Sequence, residues 1–140
     1  MKKRIYLVML IFYLVLLLKL TIFRDLGYQI YSQPTANLKL FENLKYVKSN
    51  SKSVFLYLLV GNIVSFIPLG FFVKEFIKKN IINSLMISLF VSFMIETIQY
   101  FFMVGVFEFD DMILNSLGAF LGILLWIFVD FLFRRRIKNA

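Results

Sequence analysis

Cysteine and histidine are both missing from the 140 residues of this chain. Without cysteine there is no disulfide framework and no thiol chemistry. Without histidine the commonest general base and the commonest zinc ligand are gone, so any catalysis would rest on carboxylates, amides, hydroxyls, lysine or arginine. Acidic residues are scarce too, eight against sixteen basic ones, for a net charge of +8. On a soluble domain that balance would favour nucleic acid. Here the basic residues sit at the edges of apolar runs, where they set topology and touch anionic headgroups. No free basic domain remains to hold nucleic acid once those runs are set aside.

What the chain does have is apolar surface. Hydrophobic residues make up 61% of it and eighteen residues are Phe, against about 45–50% apolar in soluble domains. One soluble core of this size cannot hide so much, whereas lipid accepts it. A bilayer core of about 30 Å takes about 20 apolar residues as a helix, and four segments qualify: about 5–23, 54–76, 81–104 and 110–133. Only Lys19 interrupts the first, near its end, where a long side chain can snorkel. Helices are the expected form because every backbone polar group must be satisfied inside lipid. The run after Met1-Lys2-Lys3-Arg4 is long and no small-x-small cleavage site follows it, so it reads as a retained first span. The expectation is a single all-α domain over 1–140, a bundle of four transmembrane helices.

Placing the N-terminus inside puts ten basic residues on the cytoplasmic side (Lys2, Lys3, Arg4, Lys74, Lys78, Lys79, Arg134, Arg135, Arg136 and Lys138). Five remain outside: Arg24, Lys39, Lys45, Lys48 and Lys52. The positive-inside rule then predicts both termini in the cytoplasm. The outer loop, 24–53, is long, and loops of that length usually carry structure or function. Within it Leu40, Phe41, Leu44 and Val47 fall on one helical face. This predicts an amphipathic helix lying on the outer leaflet with its lysines toward headgroups. The other two connections are short, which makes the last three spans an antiparallel up-down-up unit.

Polar residues inside spans are costly and call for an account. The second span holds Gly61-Asn62 and Phe66-Ile67-Pro68-Leu69-Gly70. Pro68 frees the Val64 carbonyl and predicts a kink, and Gly61 and Gly70 predict close helix approach. The third span holds Glu96-Thr97-Ile98-Gln99. Its two polar ends share a face, with Glu96 about 12 Å below the outer end, where a carboxylate must be protonated, paired or wet. The fourth opens Phe107-Glu108-Phe109-Asp110-Asp111, and Asp111, Asn115, Gly118 and Gly122 then line one face. An N-cap explains one of these acids, not three with an in-line Asn. Glu96, Gln99, Glu108, Asp110, Asp111 and Asn115 are therefore expected to form a carboxylate–amide cluster at the outer boundary. Arg24 and the loop lysines are its candidate counter-charges, and Asn62 is a further binding candidate. No metal or cofactor is called for; a cluster of this chemistry, if it takes a metal, favours Mg²⁺ or Ca²⁺.

These motifs, in this order, resemble the VanZ-like family of small membrane proteins, named for a teicoplanin-resistance protein. The resemblance rests on Gly61-Asn62, Phe66-Ile67-Pro68-Leu69-Gly70 and Glu96-x-x-Gln99. It continues through Phe107-Glu108-Phe109-Asp110-Asp111-x-x-x-Asn115-x-x-Gly118-x-x-x-Gly122, with Asn37-Leu38, Phe41 and Tyr46 in the loop. It covers about residues 37–125. The chain departs from the family in two places: Glu108 stands where the family usually has Asp, and Val106-Phe107 where a basic residue often precedes that acid. The resemblance implies a bacterial plasma-membrane protein and lowered susceptibility to teicoplanin, with no known reaction. The expected activity is therefore non-enzymatic: binding an outer-leaflet lipid, a cell-wall precursor or a lipoglycopeptide. The alternative is a membrane-embedded enzyme on a lipid-linked substrate, with Glu96 or Asp111 as acid–base.

Overall fold

The computed structural model describes residues 2–22, 32–77 and 80–138. Five helices and two short strands follow in the order α1 (Lys2–Ile22), β1 (Ala36–Asn37), α2 (Glu42–Asn50), α3 (Lys52–Ile77), α4 (Ile81–Phe101), β2 (Phe107–Glu108) and α5 (Phe109–Lys138). Four of the helices, α1, α3, α4 and α5, are long and apolar enough to cross a membrane. Large apolar side chains cover their outsides, among them Phe12, Phe90 and Phe128. That suits hydrocarbon as solvent and leaves backbone pairing inside each helix.

The chain crosses back and forth, so one end of the bundle carries α2, the strands and the α4–α5 turn. It is called the loop end here; the opposite end carries the start of α1 and the end of α5. α3 and α5 run side by side in the same direction and pack most closely. A Cβ on Gly118 would collide with the Ile63 carbonyl, one on Gly122 with that of Ile67, and one on Gly70 with that of Ala119. Backbones meet there as small residues allow in lipid. Gly61 does not share this role: nothing lies within 4 Å of where its Cβ would be, because it faces away from α5 into an open groove. α4 turns a stripe of Ser84, Ser88 and Ser92 inward, all three fully buried. A small apolar core of Leu17, Phe66, Leu69, Val73 and Ile95 joins α1, α3 and α4.

α3 runs through Pro68 without a break. In the turn where proline withholds an N–H, Tyr13 Oη of α1 donates to the Ser65 carbonyl at 2.6 Å. α4 ends at Phe101, three residues short of the expected span. Met103 takes a left-handed conformation (φ 56°), and the N–H groups of Met103 and Val104 donate back to Tyr100 and Gln99 carbonyls. This double closure satisfies orphan carbonyls that would otherwise face lipid.

The loop helix lies later than its apolar pattern indicated. α2 starts at Glu42 because Phe41 is left-handed (φ 58°), so Leu40 and Phe41 precede the helix and are exposed instead of sharing its buried face. On α2 itself Leu44 is buried and Val47 half-buried. The chain is also not purely helical. β1 and β2 pair in parallel, Ala36 with Phe107 and Asn37 with Glu108, extended by the Phe107 N–H donating to the Thr35 carbonyl.

Candidate functional site

At the loop end the acids and amides form a hydrogen-bonded lattice. Glu96 and Gln99 sit one turn apart on α4, both buried. Glu96 Oε2 accepts the Glu108 N–H at 3.0 Å, so a carboxylate of one span anchors the residue that leads into the next. Glu108 in turn accepts both close contacts of Asn43 Nδ2, at 2.8 and 2.9 Å on its two oxygens. Here the extra methylene of Glu over Asp is used to reach α2. Asp110, 2% exposed, places Oδ1 at 2.8 Å from the Phe41 N–H. It therefore holds the left-handed loop residue while its charge sits at the N-terminus of α5, where the macrodipole favours it. Gln99 Nε2 reaches across to the Thr21 carbonyl at 3.2 Å and ties the end of α1 to the same lattice.

Glu96, Gln99, Glu108 and Asp110 are thus brought together, and Asn43 and Phe41 join them unanticipated. Asn43 is polar beside an apolar helical face and carries no sequence signal for a partner 65 residues away. Asn115 lies deeper, donating Nδ2 to Ser92 Oγ at 2.9 Å. Asp111 is half-buried at the head of α5. Of the expected counter-charges, Lys39 pairs at the surface with Glu42 at 3.0 Å; Arg24 lies outside the described residues. Among the described residues no three acids are placed to hold a metal ion. Three buried polar atoms, Asn62 Nδ2, Asp110 Oδ2 and Asn115 Oδ1, find no hydrogen-bond partner among the described residues.

Asn62 belongs elsewhere. It lines a groove of about 490 Å³ between α1 and α3, together with Tyr13, Leu17, Thr21, Tyr57, Gly61 and Ser65. Most of its wall is apolar, and three of its hydroxyls are already committed: Tyr13 to the Ser65 carbonyl, Thr21 to the Leu17 carbonyl and Ser65 to the Gly61 carbonyl. Thr21 is also where the groove meets the lattice, through Gln99. A second polar group lies toward the opposite end of the bundle. Lys74 is buried in the last turns of α3, its Nζ 5.7 Å from the Trp126 ring centre, and Trp126 Nε1 donates to Glu75 at 2.7 Å. Lys74 read as an edge charge in the sequence; the adjacent Lys-Glu pair close to the end of an apolar run is the one signal for more.

Fold and lattice together define a small polytopic α-helical membrane protein whose connections at one end are braced by buried carboxylates and amides. The chain belongs to the VanZ/LLP1 family, whose model matches residues 7–133. That extends the likeness from 37–125 to nearly the whole chain, first span included. No curated protein and no solved structure matches it.

Proposed function

We propose that this chain is a multi-pass protein of the bacterial plasma membrane, with both termini cytoplasmic and the loop end outward. Its role is to bind an outer-leaflet amphiphile (a lipid, a cell-wall precursor or a lipoglycopeptide) and so lower susceptibility to teicoplanin-type drugs. One observation carries the reading: a largely apolar groove runs into a polar lattice, joined by the Gln99–Thr21 hydrogen bond. Ligand sites are concave, mostly apolar and equipped with a few placed polar groups, and an amphiphile needs both kinds of surface side by side. In this reading Asn62 and Gln99 serve the groove, Glu96, Glu108, Asp110 and Asp111 shape and charge the outer rim, and Asn115 braces it from below through Ser92. An enzyme using Glu96 is less well supported, since that carboxylate already accepts the Glu108 N–H and borders neither described cavity. The test is expression in a susceptible bacterium. The inhibitory concentration of teicoplanin should rise more than that of vancomycin, and equal or absent shifts overturn the drug-specific reading.

A further inference from the structure

We propose that the α1–α3 groove seats one acyl chain of a membrane glycerolipid, whose ester carbonyl accepts a hydrogen bond from Asn62 Nδ2. The inference rests on the amphiphile-binding reading above and narrows it to one ligand class.

The groove lies between two helices that meet hydrocarbon, so whatever fills it comes from the bilayer. Its volume of about 490 Å³ holds about sixteen groups the size of a water or a methylene, at the liquid share per water. That is one chain, not a head group with its sugars. The polar inventory points the same way. The hydroxyls of Tyr13, Thr21 and Ser65 are all donated to backbone carbonyls. Tyr57 is largely exposed, so one buried donor is left over in the wall, the Nδ2 of Asn62, on a residue 94% buried and without a partner among the described residues. A buried N–H without an acceptor is unfavourable in lipid. A ligand that relieves it brings one acceptor oxygen and otherwise hydrocarbon, and an acyl ester has that composition. A glycan or peptide would bring many polar groups that this wall cannot satisfy.

Position agrees. Tyr57 is largely exposed at the loop-end side of the groove, where an aromatic ring marks a membrane interface. Asn62 lies five residues further along α3, about 8 Å deeper at the helical rise. The carbonyl is thus held within the span, on the Pro68 side of the tyrosine ring, with its chain lying along the groove. Gly61 contributes by having no side chain: a Cβ there meets nothing within 4 Å, so the groove stays open beside Asn62.

The full-length protein is reconstituted separately with a diacyl phospholipid and with the dialkyl-ether lipid of the same head group and chain length. Lipid retained after transfer to detergent is then counted by native mass spectrometry. The wild type should keep the ester form about tenfold better, the worth of one good hydrogen bond. Asn62→Leu should erase the preference. Gly61→Leu, which fills open space and leaves the helix contacts alone, should lose both lipids. Equal retention of ester and ether by the wild type, or undiminished retention by Gly61→Leu, overturns the proposal. Should Asn62→Leu fail to accumulate, the wild-type comparison and Gly61→Leu still decide. If teicoplanin susceptibility shifts while the ester preference is absent, this inference falls and the broader function stands; the reverse result separates them the other way.

Discussion

Asp110 shows how much can rest on one side chain. Its Oδ1 holds the N–H of Phe41, a non-glycine residue in a left-handed conformation. Removing the acceptor leaves a half-buried backbone donor without its protein partner, at a cost of about 0.5–1.5 kcal/mol. Asp110→Ala should therefore lower the melting temperature in detergent, whereas Asp110→Asn, which keeps an acceptor oxygen, should stay close to wild type. Asn43 and Glu108 form the companion contact. A double-mutant cycle of Asn43→Ala with Glu108→Ala should show a coupling of about 1 kcal/mol in the same melts, because each single change already forfeits both hydrogen bonds. Met103 offers the converse case. A left-handed non-glycine residue carries a conformational cost of roughly 1–2 kcal/mol, so Met103→Gly should raise the melting temperature, by less than that cost because glycine also gains freedom when unfolded.

Among the elements, the α3–α5 contact is the least forgiving. Glycine there admits a backbone carbonyl where any side chain would stand. Gly122→Val should force the two helices apart and keep the protein from accumulating in the membrane, measured as folded protein by size-exclusion chromatography in detergent. Gly61→Ala should leave that yield unchanged. The same contrast marks what could be read in advance. Four spans were visible because twenty apolar residues in a row have one solution in lipid, and they fall within a few residues of the helices found. Helical period alone brings Asp111, Asn115, Gly118 and Gly122 to one face; the last three are buried and Asp111 is half-buried. Where Gly61 points was not legible, because periodicity gives no partner. The β1–β2 pairing was hidden for a different reason: two residues are too few to show alternation. The groove arises from Tyr13 and Ser65, 52 positions apart, and no local pattern records that meeting.

For the molecule as a whole, orientation is the property on which the proposed outward placement of the site depends. The native chain has no cysteine, so single replacements report cleanly. Tyr46→Cys on the exposed side of α2 should react in intact cells with a membrane-impermeant maleimide, and Lys138→Cys only after the cells are opened. The opposite result would turn the lattice toward the cytoplasm and end its role with outer-leaflet ligands. The net charge of +8 is concentrated toward the ends that this orientation places inside.

The short parallel ladder also sets a clock. Ala36 and Asn37 pair with Phe107 and Glu108, so the first loop waits for a stretch made some seventy residues later. At the usual pace of translation, about 5–20 residues per second, the interval is roughly 4–14 s. Throughout it the Phe41 amide and Asn43 lack their partners, and the segment ahead of α2 has only water and headgroups to satisfy it. A ribosome-bound chain halted before Phe107 should therefore be cut by an external protease near Leu38–Phe41, while the finished protein resists. Synthesis of the last span, more than of any span before it, completes the loop end of the bundle.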